Sequence, residues 1–345
     1  MQLSAIQYLG LFTASLLSVG VFTPIMRLVA LRFGVVDQPN QDHKTHRTPI
    51  PYLGGVAIML GVIIVTYFAL FGHSSSRQNI FLASSLLIPA FLLGLIGLLD
   101  DIKNLSPWPR FIAQSIAGVL TAITLITTNT VGSPTGSTFL DLIITIVWIV
   151  GITNSINFFD NLDGGASGTV AIASMALFVL AIQGEQYLIA ALAVVLTGAT
   201  IGFLTWNRPP ARIYMGDAGA LFLGLLIASL TVRLDTNPIN RFATFSIPIF
   251  ILAVPIMDTS VAVISRLRRG ISPFQGGRDH LSHRLMRFGF SKPLAVISLW
   301  IMTGYFCALA VAISHAPFQL EGLISLVGTL SWATFFIWFM KKPDF

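Results

Sequence analysis

Long apolar runs separated by polar breaks make up almost the whole chain. Runs of about 20 residues, each able to cross a ~30 Å hydrocarbon core as a helix, fall at roughly 5–31, 53–72, 79–99, 109–128, 139–157, 168–183, 186–205, 216–233, 242–265, 293–314 and 320–340. They predict an all-α fold, a polytopic integral membrane protein with about eleven transmembrane helices. The breaks form two alternating sets. Those at 72–78, 129–138, 184–186, 234–241 and 315–319 are short and carry few chemical groups. Those at 32–52, 100–108, 158–167, 206–215 and 266–292 hold nearly every acidic residue that needs an explanation. Charges scattered through the membrane would suggest a transport path; charges gathered at one face predict chemistry at that surface.

Composition removes the soluble alternative. Hydrophobic residues are 54% of the 345 and charged residues 10%, with a mean hydropathy of +0.81, against about 25% charged in a soluble domain. The first run reads as a retained helix and not a cleaved signal, because Arg27 and Arg32 follow it and it is too long for a signal core. A single cysteine, Cys307, excludes an intrachain disulfide and reads as packing. No second domain, repeat or low-complexity segment is visible, so 1–345 reads as one membrane-embedded domain with its motifs at about 37–288. Of the 20 Lys and Arg, all but Arg77, Arg233 and Arg241 belong to the acidic set of loops. The positive-inside rule then predicts an outside N-terminus and a cytoplasmic C-terminus. The net charge of +6 suits an anionic leaflet and phosphorylated substrates equally.

Five loop segments carry the candidate chemistry. Asp100-Asp101 closes the third run; adjacent helical residues point about 100° apart, so the two carboxylates are expected to take two different roles. An ordinary solvated helix end, which Lys103 would suit, stays open. In Asn154-Ser-Ile-Asn157-Phe-Phe-Asp160-Asn-Leu-Asp163-Gly164-Gly165, polar groups three apart are helical neighbours before a glycine break. An ionised group there costs about 3 kcal/mol unless it faces water, a partner or an ion, and Asn and Asp oxygens suit a hard cation such as Mg²⁺. Asp217, in Arg212-Ile-Tyr-Met-Gly216-Asp217, opens the eighth run, where capping is an acid's commonest task. A metal carboxylate is the sharp reading, but from these residues alone the cap is the favoured one. Asp258 is a further acid at a helix end. The loop Arg278-Asp-His280-Leu-Ser-His283-Arg284 offers guanidinium and imidazole groups for phosphate or sugar; without a third His or a Cys nearby, zinc is not expected. Arg266, Arg268 and Arg269 read as topogenic. The first loop, with Asp37, Lys44 and Arg47, fits a nucleotide-facing segment and a plain connector equally.

In this order, DQPN…KTHRTPIPYLGG, GLLDDIKNLSP, NSINFFDNLDG, NRPPARIYMGDAG and RDHLSHRL resemble the polyprenyl-phosphate N-acetylhexosamine-1-phosphate transferases, of glycosyltransferase family 4 type. HLSHRL and Asp258 resemble the branch that transfers N-acetylglucosamine phosphate to undecaprenyl phosphate. The phospho-N-acetylmuramoyl-pentapeptide branch has three successive His followed by Phe-Glu, absent here. Ser282 and Ala220 depart from the usual His and Ser. The resemblance implies attack by a lipid phosphate on a UDP-sugar, release of UMP, and Mg²⁺ (or Mn²⁺) as cofactor, on the cytoplasmic side of the plasma membrane in cell-envelope glycan synthesis. It implies that Asn157 and Asp217 hold the metal, that Asp100 and Asp101 line the lipid-phosphate side, and that Asp160 and Asp163 form the central catalytic cluster. It places Asn104, Arg110, Asn207, Arg212, Arg278, His280, His283 and Arg284 on substrate, with Lys44 and Arg47 beside them. The implied partners are a UDP-sugar, polyprenyl phosphate and the bilayer, with no nucleic acid; a homodimer stays open. A secondary transporter is the competing class and would need midplane polar groups in repeated halves, which the chain does not display.

Overall fold

A computed structural model describes residues 3–341 apart from 38–48, 74, 132–133, 237–239 and 274, so Lys44 and Arg47 lie outside the described residues. The long helices are α1 (Ala5–Phe33), α2 (Gly54–Gly72), α3 (Arg77–Lys103), α4 (Pro107–Thr127), α5 (Thr138–Phe159), α6 (Gly165–Gln183), α7 (Tyr187–Asn207) and α8 (Gly216–Arg233). After them come α9 (Arg241–Ile251), α10 (Ala253–Arg268), the short α11 (Leu281–Arg287), α12 (Lys292–His315) and α13 (Phe318–Met340). Ten are long and apolar enough to span a membrane, and α9 with α10 makes an eleventh, bent span. The runs read from sequence match these helices, the largest boundary difference being 99 against Lys103. One expectation needs correction: the ninth run is not a continuous helix but turns by 77° between Ile251 and Ala253. Pro255 has no N–H to give the Ile251 carbonyl, and the Cys307 thiol approaches that oxygen instead at 3.8 Å. The first loop is also more regular than expected, since β1 (Val36–Asp37) pairs antiparallel with β2 (Ile50–Pro51), Val36 facing Pro51.

Helix α8 is the hub, almost wholly buried and packed chiefly between α3 and α5, with α2 and α6 beside it. Lipid offers no hydrophobic drive between helices, so close approach of small residues substitutes for it. On α3, a Cβ at Gly97 would stand 2.6 Å from the Ala218 amide nitrogen, so only glycine lets α3 reach the first turn of α8. At the far end of α8, Arg233 is 6% exposed, and its Nε and Nη1 have no hydrogen-bond partner among the described residues. A buried uncompensated cation destabilises, and apolar replacements of buried charges often gain about 1–4 kcal/mol. Arg233→Met is therefore expected to raise the thermal unfolding midpoint of the detergent-solubilised protein; an unchanged or lower midpoint would show that Arg233 has a counter-charge in the membrane.

Candidate active site

The site begins where α3 meets α8. Gly216 takes φ +66°, and a Cβ on it would press to 2.7 Å from the Asp101 carboxyl carbon. Asp101 accepts from the backbone N–H of Asp217 (2.8 Å) and of Ala218 (3.1 Å). The cap of α8 thus comes from another helix: Met215, at the N-cap position, supplies no side-chain bond, and Asp217 is released from the capping task assigned to it above. Asp100 points elsewhere, as the 100° spacing predicts. Its Oδ1 accepts from the Leu105 amide at 2.7 Å, and its Oδ2 pairs with Arg110 Nη1 at 2.5 Å. The same Nη1 pairs with Asp217 Oδ2, while Asp217 Oδ1 accepts from Asn157 Nδ2 at 2.7 Å.

The next wall is the turn between α5 and α6. Asn157 is helical, but α5 stops at Phe159, so Asp160 and Asp163 lie in a turn and not on one helical face as the three-residue spacing suggested. Gly164 takes φ +74°, a conformation open to glycine. Buried Asn207 clamps this turn to the loop before α8: its Oδ1 accepts from Gly164 N and Ser167 Oγ, each at 3.0 Å, and its Nδ2 donates to the Ile213 carbonyl at 3.0 Å. Asp163 Oδ2 accepts from Ala211 N at 3.0 Å. The first loop closes the same corner, Gly54 N and Gly55 N donating to the Tyr214 and Met215 carbonyls.

The third wall comes from residues 276–284. Asp258, fully buried, accepts from Leu281 N at 2.7 Å and faces His280 Nδ1 at 2.7 Å. Arg266 Nη2 lies 3.3 Å from His280 Nε2, and Arg266 Nε donates to Asp279 at 2.9 Å. Asp279 also pairs with Arg269. Burial alone would push the Asp279 carboxyl up, but the Arg266 hydrogen bond and the two guanidinium charges hold it below the usual range. Arg266 and Arg269 therefore anchor the loop, beyond the topogenic role the sequence suggested. Ser282, at the position departing from the family pattern, donates to Asn161 Oδ1 and ties this wall to the second.

Together these walls enclose a pocket of about 350 Å³. It is lined by Asp101, Asn157, Asp160, Asp163, Asn207, Asp217, His280 and His283 of the predicted set, joined by Asp37, Tyr52, Asn161, Tyr214 and three glycines. The other described residues of the predicted set stand apart from that lining. Arg110 lies behind Asp217, and Asn104 is the exposed left-handed cap of α3. Arg212 is exposed over the Trp206 ring. Arg278 is exposed, its carbonyl accepting from Arg287. Arg284 is 1% exposed and donates to the Asp279 and Phe339 carbonyls and to Ser265 Oγ. The sequence reading put Arg284 on substrate, and the structure corrects this: it braces α11 against α10 and α13. Asp37 lies in the first loop that the sequence left between a nucleotide-facing segment and a connector, whereas Tyr52 and Tyr214 were not singled out; the one signal for them was a phenol in each of two otherwise connector-like loops.

Electrostatics define what this pocket accepts. Among its described lining residues five are aspartates and none is Lys or Arg. Burial, then the charges of Asp217 and Asp163, pushes Asp160 up to about 7. Burial first, then the neighbouring His280, lowers His283 to about 4, leaving a neutral imidazole at pH 7. Tyr52 and Tyr214 are raised, by burial first and then by Asp37 and Asp163 respectively, so both remain phenol donors. No three His, Cys, Asp or Glu among the described residues form a ready metal cage. A carboxylate and a carboxamide side by side nevertheless fit a hard cation that completes its shell with phosphate oxygens and water.

A bundle of spanning helices with a carboxylate-lined pocket at one end defines a polytopic membrane protein built for a polar ligand at the bilayer surface. Residues 83–235 match the model of glycosyl transferase family 4. The chain is 34% identical over 321 residues to a probable undecaprenyl-phosphate N-acetylglucosaminyl 1-phosphate transferase of Bacillus subtilis, covering 92% of this chain and 87% of that one. It is 30% identical to a decaprenyl-phosphate N-acetylglucosaminephosphotransferase of Mycolicibacterium smegmatis, over 81% and 75% of the two chains. With an undecaprenyl-phosphate alpha-N-acetylglucosaminyl 1-phosphate transferase of Escherichia coli it shares 25% over 94% and 90%. The chain belongs to glycosyl transferase family 4.

Proposed function

We propose that this protein transfers N-acetylglucosamine 1-phosphate from UDP-N-acetylglucosamine to a polyprenyl phosphate such as undecaprenyl phosphate, releasing UMP. The relatives' names support the donor sugar and the lipid acceptor. The observation that carries the reading is the five-aspartate lining without a Lys or Arg among the described residues. A UDP-sugar diphosphate would be repelled from it unless a divalent cation bridges them, as in other phosphoryl transfers. Asn157 and Asp217 would hold Mg²⁺, which when bound supplies charge neutralisation at the diphosphate. A lipid-phosphate oxygen attacks the sugar-bearing phosphorus, the bond to the bridging oxygen breaks, and UMP leaves with that oxygen.

The acceptor needs little help to become a nucleophile, because a phosphate monoester has its second pKa near 6 and is largely dianionic at pH 7. Both Asp100 oxygens already accept hydrogen bonds, which supports alignment and not proton abstraction as its task. Tyr52, Tyr214 and neutral His283 supply uncharged donors for nucleotide or sugar. By the positive-inside rule the pocket faces the cytoplasm at the plasma membrane.

The test is UMP release by membranes carrying the protein, with UDP-N-acetylglucosamine, undecaprenyl phosphate and Mg²⁺. Release should stop with EDTA and be restored by excess Mg²⁺ or Mn²⁺; no lipid-dependent UMP with any UDP-sugar of a panel would overturn the reading. The raised Asp160 gives a second expectation. Its proton is held up to about pH 7 and opposes cation binding, so Mn²⁺ affinity should climb as pH rises from 6 to 8. Asp160→Asn should flatten that climb, whereas an unaltered slope would remove Asp160 from the linkage.

A further inference from the structure

One guanidinium stands where the charges of the site balance. Arg110, in the first turn of α4, directs a single nitrogen, Nη1, at two carboxylates from different helices: Asp100 Oδ2 at 2.5 Å and Asp217 Oδ2. Asp100 is firmly held, because its other oxygen accepts from the Leu105 amide at 2.7 Å. Asp217 is held on its far side by Asn157 Nδ2 at 2.7 Å. Both oxygens of Asp217 are thus engaged by nitrogen donors, one of them cationic, on the residue that the proposed function gives to the metal. A dication and a guanidinium on the same carboxylate repel each other strongly in a part-buried setting. The two cannot share Asp217 comfortably.

Resting on the metal reading given above, we infer that Arg110 is an exchangeable latch: it neutralises Asp217 until a divalent cation takes that carboxylate, and is then left tethered to Asp100 alone, free to grip the acceptor's phosphate. Three features support the exchange. Arg110 is 27% exposed on its side chain, so it has room to swing away. Asp100 provides a fixed pivot that survives the loss of Asp217. The same first turn of α4 carries exposed Trp108 (62%) and the α3 end carries exposed Leu99 and Ile102, so the freed guanidinium would sit at an apolar border suited to a lipid-borne phosphate. A planar guanidinium binds phosphate oxygens as readily as carboxylate oxygens. Loading of the cation and readiness for the lipid then become a single event, and the arginine is kept off the acceptor until the metal is in place.

Mn²⁺ alone, titrated into the purified full-length protein in detergent and followed by electron paramagnetic resonance, reads the latch without turnover. Arg110→Gln removes the competing charge and should bind Mn²⁺ about tenfold more tightly than wild type, a change of one decade in Kd, while its KM for polyprenyl phosphate rises. Asp100→Asn leaves Arg110 to Asp217 alone and should weaken Mn²⁺ binding; the double variant should return to tight binding. If Arg110→Gln does not fold, Arg110→Lys, whose shorter side chain brings its charge less close to Asp217, should still tighten Mn²⁺ by a smaller factor. Equal or weaker Mn²⁺ binding in the Arg110 variants would overturn the latch and leave the metal reading standing. Absence of Mn²⁺ binding in wild type and variants alike would overturn both.

Discussion

Asp217→Asn is expected to reduce UMP release by about a thousandfold or more, equivalent to about 4 kcal/mol of lost transition-state stabilisation. The carboxylate is the meeting point of three elements: Asn157 from α5, Arg110 from α4, and its own backbone N–H held by Asp101 from α3. The amide keeps the shape but has one acceptor oxygen, so it can accept from Arg110 or from Asn157 and not from both; the backbone N–H bonds to Asp101 are untouched, so the bundle should survive. What it loses is charge, which both the proposed cation and Arg110 require. Activity within tenfold of wild type in a folded variant would remove Asp217 from the centre of the mechanism.

The second large effect should come from a residue that does not line the pocket. Asp258→Asn is expected to lower kcat/KM by about a hundredfold, chiefly through KM for the UDP-sugar, because a buried charge network loses one end. In the native protein Asp258 faces His280 Nδ1 while Arg266 presents its guanidinium to Nε2, and Arg266 in turn holds Asp279. These partners select a ring with its proton on Nδ1. Asparagine would offer an amide N–H to either Nδ1 or Leu281 N, and the loop behind His283 would lose its orientation. A shift in KM with little change in kcat separates this positioning role from direct chemistry. Equal loss in both, or none, would contradict it.

Length and apolarity made the spans legible, since a run of 20 apolar residues has few alternatives in water or lipid. The bend at 252 was not legible, because Pro248 and Pro255 are tolerated in membrane helices and only packing decides whether the helix breaks. Within the site, acids and an asparagine at helix ends marked Asp101, Asn157, Asp160, Asp163 and Asp217, all of which line one pocket. Sequence assigned Arg110, Arg212, Arg278 and Arg284 to substrate and read Arg266 as topogenic. The structure divides them: Arg284 and Arg266 are buried braces, whereas Arg110 joins two carboxylates. Charge type is visible in a sequence; which opposite charge will stand 3 Å away, more than a hundred residues off in the chain, is not. Tyr52 and Tyr214 escaped for the same reason, because their value comes from meeting across two loops, with ring centres 6.1 Å apart.

The borrowed cap on α8 has a consequence for biogenesis. Asp101 is made long before Asp217 emerges from the ribosome, and the two meet only after α3 and α8 have docked side by side. Until then the first turn of α8 has bare N–H groups at the membrane surface, and its carboxylate has no fixed neighbours. A half-assembled bundle would therefore lack the formed carboxylate pocket, and the proposed ion-binding and phosphate-binding roles would arrive in one step, late in insertion.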